Sequence, residues 1–327
     1  MSEATIISVL SQKGGTGKTT MTRSLADVLD RLGLRVLAID ADPQGNLSDY
    51  FDTPADAEPT LAEVLMGQAE ASDAVHGQVI PANLRLAEAE LALAGKMGRE
   101  LTLRKALRDV SGAYDVILID CPPTLGLLTV NALVASSHAL LSTQSQYFSL
   151  QGVEQAMEVV DLAKDSLNPG LELLGIVLNI ANMRTKHARQ TLESLQERFG
   201  EGVFRTVIRQ SIVYAESAER AVPILAYKPA RGQDYLSLSD EVLRRLGRPD
   251  LRGGEDAVDV PGHAAVGEDV VERAVPVGDD DQPHPRGAQA LQRPGDLRER
   301  AEGKRRQQCL LKLRGRYLVR RRAQRRA

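Results

Sequence analysis

The chain has 327 residues, of which 43% are hydrophobic, and its formal net charge is −3. These values predict a globular protein with a sizeable buried core and indicate no particular class of partner. The two cysteines, Cys121 and Cys309, lie too far apart to suggest a disulfide framework or a metal site, so a reducing cytoplasm is expected. No apolar run reaches the roughly 18–20 residues of a membrane span, and the N-terminus predicts a strand rather than a signal peptide.

A glycine-rich loop, residues 11–20 (SQKGGTGKTT), joins the first predicted strand, 6–10, to a helical pattern that continues to Leu32. A strand, a glycine-rich loop and a helix in this order are the setting of a phosphate-binding loop. Backbone N–H groups at the glycines can converge on phosphate oxygens, and the start of the helix adds partial positive charge. Lys18 supplies a full charge and Thr19 a hydroxyl for Mg²⁺. The loop therefore predicts nucleotide binding.

Acidic residues follow two predicted buried strands. Strand 35–39 leads into Asp40 and Asp42, whose side chains point the same way because alternate residues of a strand share a face. Strand 115–119 leads into Asp120, the placement expected of a Walker B carboxylate that holds Mg²⁺. The carboxyl ends of parallel strands meet at one edge of the sheet, where the phosphate loop also lies. The sequence therefore predicts that these carboxylates face the bound phosphates.

Apolar runs and helical patterns alternate along the rest of the chain. The further predicted strands are 79–81 paired with 84–86, then 138–143, 173–179 and 203–208. The further predicted helices are 60–66, 91–110 (largely helical), 131–136, 150–167, 187–199, 215–219 and 235–246. Strands that alternate with helices and are almost continuously apolar predict the α/β class, with a doubly wound, mostly parallel sheet flanked by helices.

The composition changes after Pro249, so residues 1–249 are predicted to form the folded domain and residues 250–327 a separate tail. The domain carries a net charge of −7 and the tail +4, with eleven Lys and Arg and no acidic residue in 304–326. Segregated charge without a long apolar pattern predicts disorder. Two alternatives stay open for the tail: a basic arm for DNA or an anionic membrane, and the product of a frameshift near codon 250.

Three motifs carry a family resemblance: KGGTGKTT at 13–20, AIDADPQGN at 38–46 and DVILIDCPPTLG at 115–126. They resemble the ParA/Soj group of deviant Walker A partition ATPases, which belongs to the ParA/MinD superfamily. Further matches, in order and at family-like spacing, are 80–93, 143–155 and 215–232. The resemblance covers residues 4–247 and implies a P-loop NTPase fold, ATP and Mg²⁺ as cofactors, and slow ATP hydrolysis that a partner stimulates.

The feature that defines the resemblance is an extra lysine, Lys13. It follows Gln12, which stands where the common phosphate-loop pattern G-x-x-x-x-G-K-[ST] has its first glycine. In this family the extra lysine reaches across a nucleotide-sandwich dimer to the partner's phosphates, so the resemblance gives Lys13 a catalytic role in trans. Two triphosphates are neutralised only when both subunits contribute lysines, which makes ATP the link between them. The resemblance thus implies a homodimer with ATP sandwiched between the subunits.

The resemblance also assigns roles to the other residues of the loop and the strand ends. Lys18 contacts the β- and γ-phosphates, and Asp42 positions the attacking water. Thr19 ligates Mg²⁺, while Asp40 and Asp120 hold it through water. The implied catalytic residues are Lys13, Lys18 and Asp42. The implied nucleotide-binding residues are Gly14, Gly15, Thr16, Gly17, Lys18, Thr19, Thr20 and Asn179.

The chain departs from the family pattern near the expected adenine and DNA contacts. Asn179, which closes strand 173–179, either bonds the adenine edge or forms a turn, and both interpretations stay open. The family usually has Pro-Arg-Asn after the sixth strand, whereas this chain reads Arg209-Gln210-Ser211. Val213 stands where the family has an arginine of the DNA-binding surface. These departures weaken the adenine assignment and remove one expected DNA contact.

DNA binding in this family is independent of sequence, requires the ATP dimer and uses basic residues of the C-terminal surface that contact phosphates. The candidates here are Arg184, Lys186, Arg189, Arg209, Arg220, Lys228 and Arg231. Because the domain is acidic overall, affinity for DNA requires a local patch of such residues or the basic tail. The implied partner is a ParB-like centromere-binding protein with a basic N-terminal peptide, and the implied location is the cytoplasm, in association with the nucleoid.

A membrane-cycling positioning ATPase of the MinD type is the alternative function. The basic end, 304–326, motivates it, since such a segment can serve as an amphipathic anchor. The D-P-Q-G-N turn at 42–46 and the ParA-like motifs near the C-terminal end of the domain favour the partition ATPase and speak against a membrane partner. The sequence does not determine whether the cargo is a plasmid, a chromosome or a protein cluster.

Overall fold

Six parallel strands form one sheet in the computed structural model, which describes residues 4–145 and 149–248. Their order across the sheet is β3-β2-β4-β1-β5-β6. The strands are β1 (Thr5–Leu10), β2 (Val36–Asp40), β3 (Val79–Ile80), β4 (Val116–Asp120), β5 (His138–Gln144) and β6 (Glu172–Asn179). The chain starts in the middle of the sheet at β1 and builds outward in both directions, which confirms the predicted doubly wound α/β fold.

Helices cover both faces of this sheet. They are α1 (Lys18–Arg31), α2 (Asn46–Tyr50), α3 (Leu61–Met66), α4 (Arg85–Leu93), α5 (Thr102–Ala106), α6 (Leu127–Ala135), α7 (Ser149–Ser166), α8 (Lys186–Phe199), α9 (Ile212–Glu219), α10 (Ile224–Tyr227) and α11 (Gln233–Arg245). In the described ranges, none of these helices is long and apolar enough to span a lipid bilayer. The predicted tail, 250–327, and its boundary with the domain lie outside the described residues.

The sheet separates two hydrophobic layers, because alternate residues of each strand point to opposite faces. Leu37 and Ile117 belong to the layer formed with α3 to α8. Val36 and Leu118, their neighbours along the same strands, belong to the layer formed with α1, α9 and α11. Every residue of β2 and β4 is buried. Strands covered on both faces are apolar almost throughout, and for this reason the apolar runs in the sequence predicted these two strands.

Three predicted elements differ from the structure near the middle of the chain. The pair 79–81 and 84–86 is wrong, because only Val79–Ile80 is a strand and residues 85–93 form helix α4. The Asn83 side chain accepts the backbone N–H of Arg85 at 3.0 Å and so favours a helix start at this point. The predicted helix 91–110 is interrupted after Leu93, resumes as a 3₁₀ turn at Arg99–Leu101 and continues as α5. Helix α2 was not predicted from the sequence.

The predicted strand 203–208 is also wrong, since the segment lies beside β6 through isolated bridges only. The backbone N–H groups of Phe204 and Ile208 donate to carbonyls of β6, at 2.8 and 3.0 Å. The N–H of Thr206, midway between them, donates instead to the Glu241 carboxylate of α11 at 2.9 Å. A ladder needs alternate N–H groups to face the neighbouring strand, so this diverted bond interrupts the pairing.

Glu241→Gln is expected to lower the free energy of unfolding by about 1–3 kcal/mol, because an amide nitrogen would replace one of two buried acceptor oxygens. The carboxylate accepts the backbone N–H groups of Arg205 and Thr206, the Thr206 hydroxyl and the Arg245 guanidinium. Burial acts to raise the pKa of Glu241, but these hydrogen bonds outweigh it and hold the pKa below its ordinary value.

The pH dependence of this contribution follows from the lowered pKa. The stabilisation should be fully present above the ordinary glutamate pKa of about 4.3 and disappear as the pH falls through the lower pKa of the folded state. Urea unfolding followed by circular dichroism at pH 7 and at about pH 3 measures it. Asp240→Asn, a change of the exposed neighbour, is the control and should stay within about 0.5 kcal/mol of wild type. Equal stability of Glu241→Gln and wild type at pH 7 would contradict the assignment.

Candidate functional site

The loop between β1 and α1 holds a backbone conformation that only glycine adopts without strain. Gly15 and Gly17 both have φ of 76°, in the left-handed region. A Cβ added to Gly17 would lie 2.8 Å from Nδ2 of Asn179 and 3.2 Å from Cδ1 of Ile180. The loop therefore passes so close to the end of β6 that a side chain at Gly17 has no room. This close approach brings the start of α1 to the carboxyl edge of the sheet.

Hydrogen bonds within the loop fix its shape. The Ser11 hydroxyl lies 2.8 Å from the Thr16 hydroxyl and 2.8 Å from the Lys13 carbonyl oxygen, to which it donates. The Ser142 hydroxyl of β5 donates to the Thr16 carbonyl at 2.9 Å. Lys18 is 7% exposed, and its Nζ donates to Ser11 Oγ at 3.3 Å. The ammonium group is thus held inside the loop, where it can neutralise an anion that the backbone N–H groups bind.

Asp120, at the end of β4, meets the first turn of α1. The Thr19 hydroxyl donates to Asp120 Oδ2 at 2.6 Å. Oδ1 of Asp120 is buried and has no hydrogen-bond partner among the described residues. The pKa of Asp120 is raised to about 8, mainly because the group is buried and secondly because the Asp40 carboxylate lies nearby. A buried carboxylate oxygen without a partner, beside a threonine hydroxyl, is the donor set that suits a hydrated Mg²⁺ ion. The site therefore fits the predicted metal.

The Asp40 carboxylate is engaged by the chain itself. Its Oδ1 accepts the backbone N–H of Asp42 at 3.1 Å, and its Oδ2 accepts the backbone N–H and the hydroxyl of Ser48 at 2.9 and 2.7 Å. Burial raises its pKa to about 6. Asp40 therefore anchors the turn between β2 and α2 that presents Asp42. Its role as a ligand of Mg²⁺ through water stays a prediction.

A groove of about 1080 Å³ opens in front of the phosphate loop. Among its lining residues are the predicted loop and catalytic residues Gly14, Gly15, Thr16, Gly17, Lys18, Thr19, Thr20 and Asp42, together with Asn179. Lys13 is not part of this lining and lies exposed on the loop. The same lining contains three tyrosines that sequence reasoning missed, Tyr50, Tyr214 and Tyr235. They come from three separate helices, so no local pattern could have brought them together.

Asn179 supports the loop from the end of β6. Its Nδ2 donates to the Gly17 carbonyl and approaches the Ser142 hydroxyl, each at 3.3 Å. Its Oδ1 accepts the backbone N–H of Ile180 at 2.8 Å, and Ile180 has φ of 52°, which is strained for a β-branched residue. These contacts are typical of a turn-forming asparagine, which is one of the two interpretations of Asn179 that the sequence left open. A contact with adenine stays a prediction.

The seven candidate DNA-binding residues fall into separate groups. Arg184, Arg209 and Arg231 line a second groove of about 680 Å³. It shares with the first groove the lining residues Gln210, Ser211, Ile212 and Tyr214. Lys186 and Arg189 are exposed at the start of α8, next to Arg184 in the chain. Arg220 and Lys228 flank the Tyr227 ring instead, with their charged groups 5.4 and 5.0 Å from its centroid.

Two of these side chains are already paired within the chain. Arg209 binds Asp234 with several hydrogen bonds, the shortest 2.6 Å, and Lys228 lies 3.2 Å from Glu216. Their charges are therefore partly neutralised. The exposed cluster that best suits a polyanion is Arg184, Lys186 and Arg189.

Comparison with known proteins gives a family. The AAA domain family matches residues 4–173. The sporulation initiation inhibitor protein Soj of Bacillus subtilis is 38% identical over 246 residues, which cover 72% of this chain and 97% of Soj. The chromosome partitioning protein ParA of Caulobacter vibrioides is 38% identical over 251 residues, which cover 73% of this chain and 94% of ParA. The chain belongs to the ParA/Soj family. The predicted resemblance is thereby confirmed.

Solved structures similar to this ParA/Soj-family chain contain nucleotide and magnesium. The septum site-determining protein MinD of Pyrococcus horikoshii, in complex with Mg-ADP, is 30% identical with a TM-score of 0.64, and the match covers 75% of this chain and 98% of MinD. Cobyrinic acid a,c-diamide synthase of Mycobacterium smegmatis, with a bound ATP analogue and magnesium, is 32% identical with a TM-score of 0.66 over 75% of this chain and 96% of that one. The P-loop NTPase fold is therefore confirmed.

Proposed function

We propose that this ParA/Soj-family chain is a partition ATPase that binds ATP with Mg²⁺, dimerises around it and then binds DNA. The observation that carries the proposal is the hydrogen bond of 2.6 Å between the half-buried Thr19 and the buried Asp120 at the phosphate loop, where Asp120 Oδ1 has no partner among the described residues. That pair would hold Mg²⁺, which neutralises phosphate charge when bound. Lys18 and the backbone N–H groups of the loop would bind the triphosphate, in agreement with the nucleotide-binding residues that the sequence predicts.

Hydrolysis needs a group that orients water and a charge that stabilises the transferring phosphoryl group. Asp42 lines the groove on a turn that Asp40 anchors, so it is held in place to orient water. Lys13 lies exposed on the loop, where it can reach a second subunit. In the proposed dimer each Lys13 acts on the partner's phosphates. The requirement for a second subunit makes hydrolysis slow in the monomer and open to stimulation by another protein.

The proposed partners are sequence-independent double-stranded DNA and a ParB-like protein, in the cytoplasm at the nucleoid. Similarity to proteins named for chromosome partitioning supports this choice. The cluster Arg184, Lys186 and Arg189 supplies three exposed positive charges on a domain that is acidic overall. Phosphate contacts of this kind give affinity without reading the bases.

Retention of DNA by the full-length chain with ATP and Mg²⁺ tests the proposal. Binding should require ATP and weaken steeply with salt, because each phosphate contact releases a counterion. Replacing both Arg184 and Arg189 by Ala should weaken binding about tenfold near 100 mM salt and reduce the salt slope by about 1–2. Arg198→Ala, at the far end of α8, is the matched control and should leave binding unchanged. Absence of salt-sensitive, ATP-dependent retention would exclude the function.

A MinD-like membrane function is the second candidate, since the similar solved structures include MinD. Co-sedimentation with anionic vesicles in the presence of ATP separates it from the first. Binding that is lost on deletion of 250–327 would favour the membrane function, whereas retention on DNA without binding to vesicles would favour partition.

A further inference from the structure

Helix α4 carries apolar side chains on two opposite sides. Leu86 and Leu93 are buried in the core. Leu84, just before the helix, and Leu91 point outward and are 72% and 78% exposed, and Met97 beyond the helix is fully exposed. Residues seven apart on a helix lie on one face, two turns from each other. We name Leu84, Leu91 and Met97 the α4 stripe. These three residues play no part in the nucleotide groove.

Helix α4 lies along the carboxyl edge of the sheet. Near its start, Leu84 borders a cavity of about 180 Å³ together with Gly45 of the turn that follows β2. Near its end, Glu90 Oε1 accepts the backbone N–H of Leu128 at 3.4 Å, in the first turn of α6, the helix that follows β4. Both contacts are made with segments that leave the carboxyl ends of strands. The phosphate loop leaves the same edge, so α4 and the loop lie at the same edge of the sheet.

The segment 123–126 approaches both the loop and α4. A Cβ added to Gly14, the neighbour of Lys13, would lie 3.9 Å from Cβ of Pro123. A Cβ added to Gly126 would lie 3.1 Å from Oε1 of Glu90 on α4. The surface therefore runs from the loop, over the segment 123–126, to the helix that bears the stripe.

We propose that a second copy of this chain covers the α4 stripe in the ATP-bound dimer. The inference rests on the proposed function: a subunit whose phosphates Lys13 reaches lies at the phosphate loop, and the segment 123–126 joins that loop to α4. In a two-fold dimer the same patch appears on both subunits, and apolar residues form its dry centre. Glu88 and Lys96 are exposed charges of opposite sign on this segment, so a two-fold arrangement can pair unlike charges around the stripe.

Leu91→Asp in the full-length chain tests the inference. With Mg²⁺ and a non-hydrolysable ATP analogue, analytical ultracentrifugation should show a dimer dissociation constant raised at least about tenfold. ADP binding by the monomer and the circular dichroism spectrum should equal those of wild type, because Leu91 is exposed. Leu162→Asp on α7 is the matched control: it changes the same residue type at 65% exposure and should dimerise like wild type. Leu84→Asp should repeat the effect of Leu91→Asp.

The outcomes separate the inference from the function on which it rests. Normal dimerisation of Leu91→Asp, beside a wild-type chain that dimerises, overturns the inference alone. If that variant dimerises normally but loses stimulation by a ParB-like protein, the inference is equally overturned and the stripe belongs to that partner. A wild-type chain that stays monomeric with the ATP analogue overturns both the inference and the proposed dimer.

Discussion

Lys18→Ala is expected to weaken ATP binding at least about hundredfold, which corresponds to roughly 3 kcal/mol. Lys18 is 7% exposed and its ammonium group lies within the loop, against Ser11 Oγ. A charge-assisted bond from a buried lysine to phosphate is worth more than one at the surface, because little water competes with it. Titration of a fluorescent ATP analogue into the full-length chain, with Mg²⁺ present, measures the loss.

Lys13→Ala is the control for this experiment. Lys13 belongs to the same loop but is exposed, and it does not line the groove. Nucleotide binding by the monomer should therefore stay within about threefold of wild type, whereas ATP-dependent dimerisation should be lost. If Lys18→Ala binds ATP as tightly as Lys13→Ala does, the assignment of Lys18 to the phosphates of ATP is wrong. If Lys13→Ala still forms the ATP dimer, the lysine does not act in trans.

Asp120→Asn is expected to stabilise the nucleotide-free chain and to abolish its stabilisation by Mg-ATP. The wild-type carboxylate is buried, one of its oxygens has no partner in the described part of the chain, and burial raises its pKa to about 8 from 3.8. An amide removes the cost of burying that charge, so thermal unfolding at pH 8 should shift upward by several degrees, or about 1–3 kcal/mol. The same change removes the carboxylate that would hold Mg²⁺, so added Mg-ATP should no longer raise the midpoint.

The sign of the pH dependence gives a second readout. Between the ordinary pKa near 4 and the raised value near 8, the folded state holds a proton that the unfolded state has lost. This group alone therefore makes wild-type stability fall as the pH rises through that window, and Asp120→Asn should remove that part of the slope. Asp115→Asn is the control, because hydrogen bonds from Arg35 lower the pKa of Asp115 to about 2. It should not stabilise the chain, and Mg-ATP should still raise its midpoint. A lower midpoint for Asp120→Asn at pH 8 would contradict the assignment.

Features that depend on residues close together in the chain were predictable from the sequence. Strands β1, β2 and β4 are buried on both faces, so their apolar runs stood out, and the acidic residues at their ends followed by position. The phosphate loop needs glycine at φ of 76°, a backbone demand that appears directly as Gly15 and Gly17. In the structure these residues and Asp42 line one groove.

Features that depend on distant residues were not predictable. The segment 203–208 has a strand-like pattern, but Glu241 captures the N–H of Thr206 from 35 residues away. The seven basic candidates looked equivalent in the sequence, yet Asp234 and Glu216 partly neutralise Arg209 and Lys228. Side-chain partners of this kind compete with backbone pairing and with ligands, and a linear pattern does not record them.

The phosphate loop shows both sides of this division. The sequence alone predicts nucleotide binding from the glycines, Lys18 and Thr19, because phosphate binding requires those residue types at that spacing. Only folding brings Asp120 to 2.6 Å from Thr19, with one oxygen that has no partner among the described residues. Only folding makes Asp40 anchor the turn of Asp42 and brings α4 close to the segment 123–126 beside the loop. Distance and burial between separate strands set these properties, because a buried carboxylate takes its pKa and its partners from whatever the fold places around it.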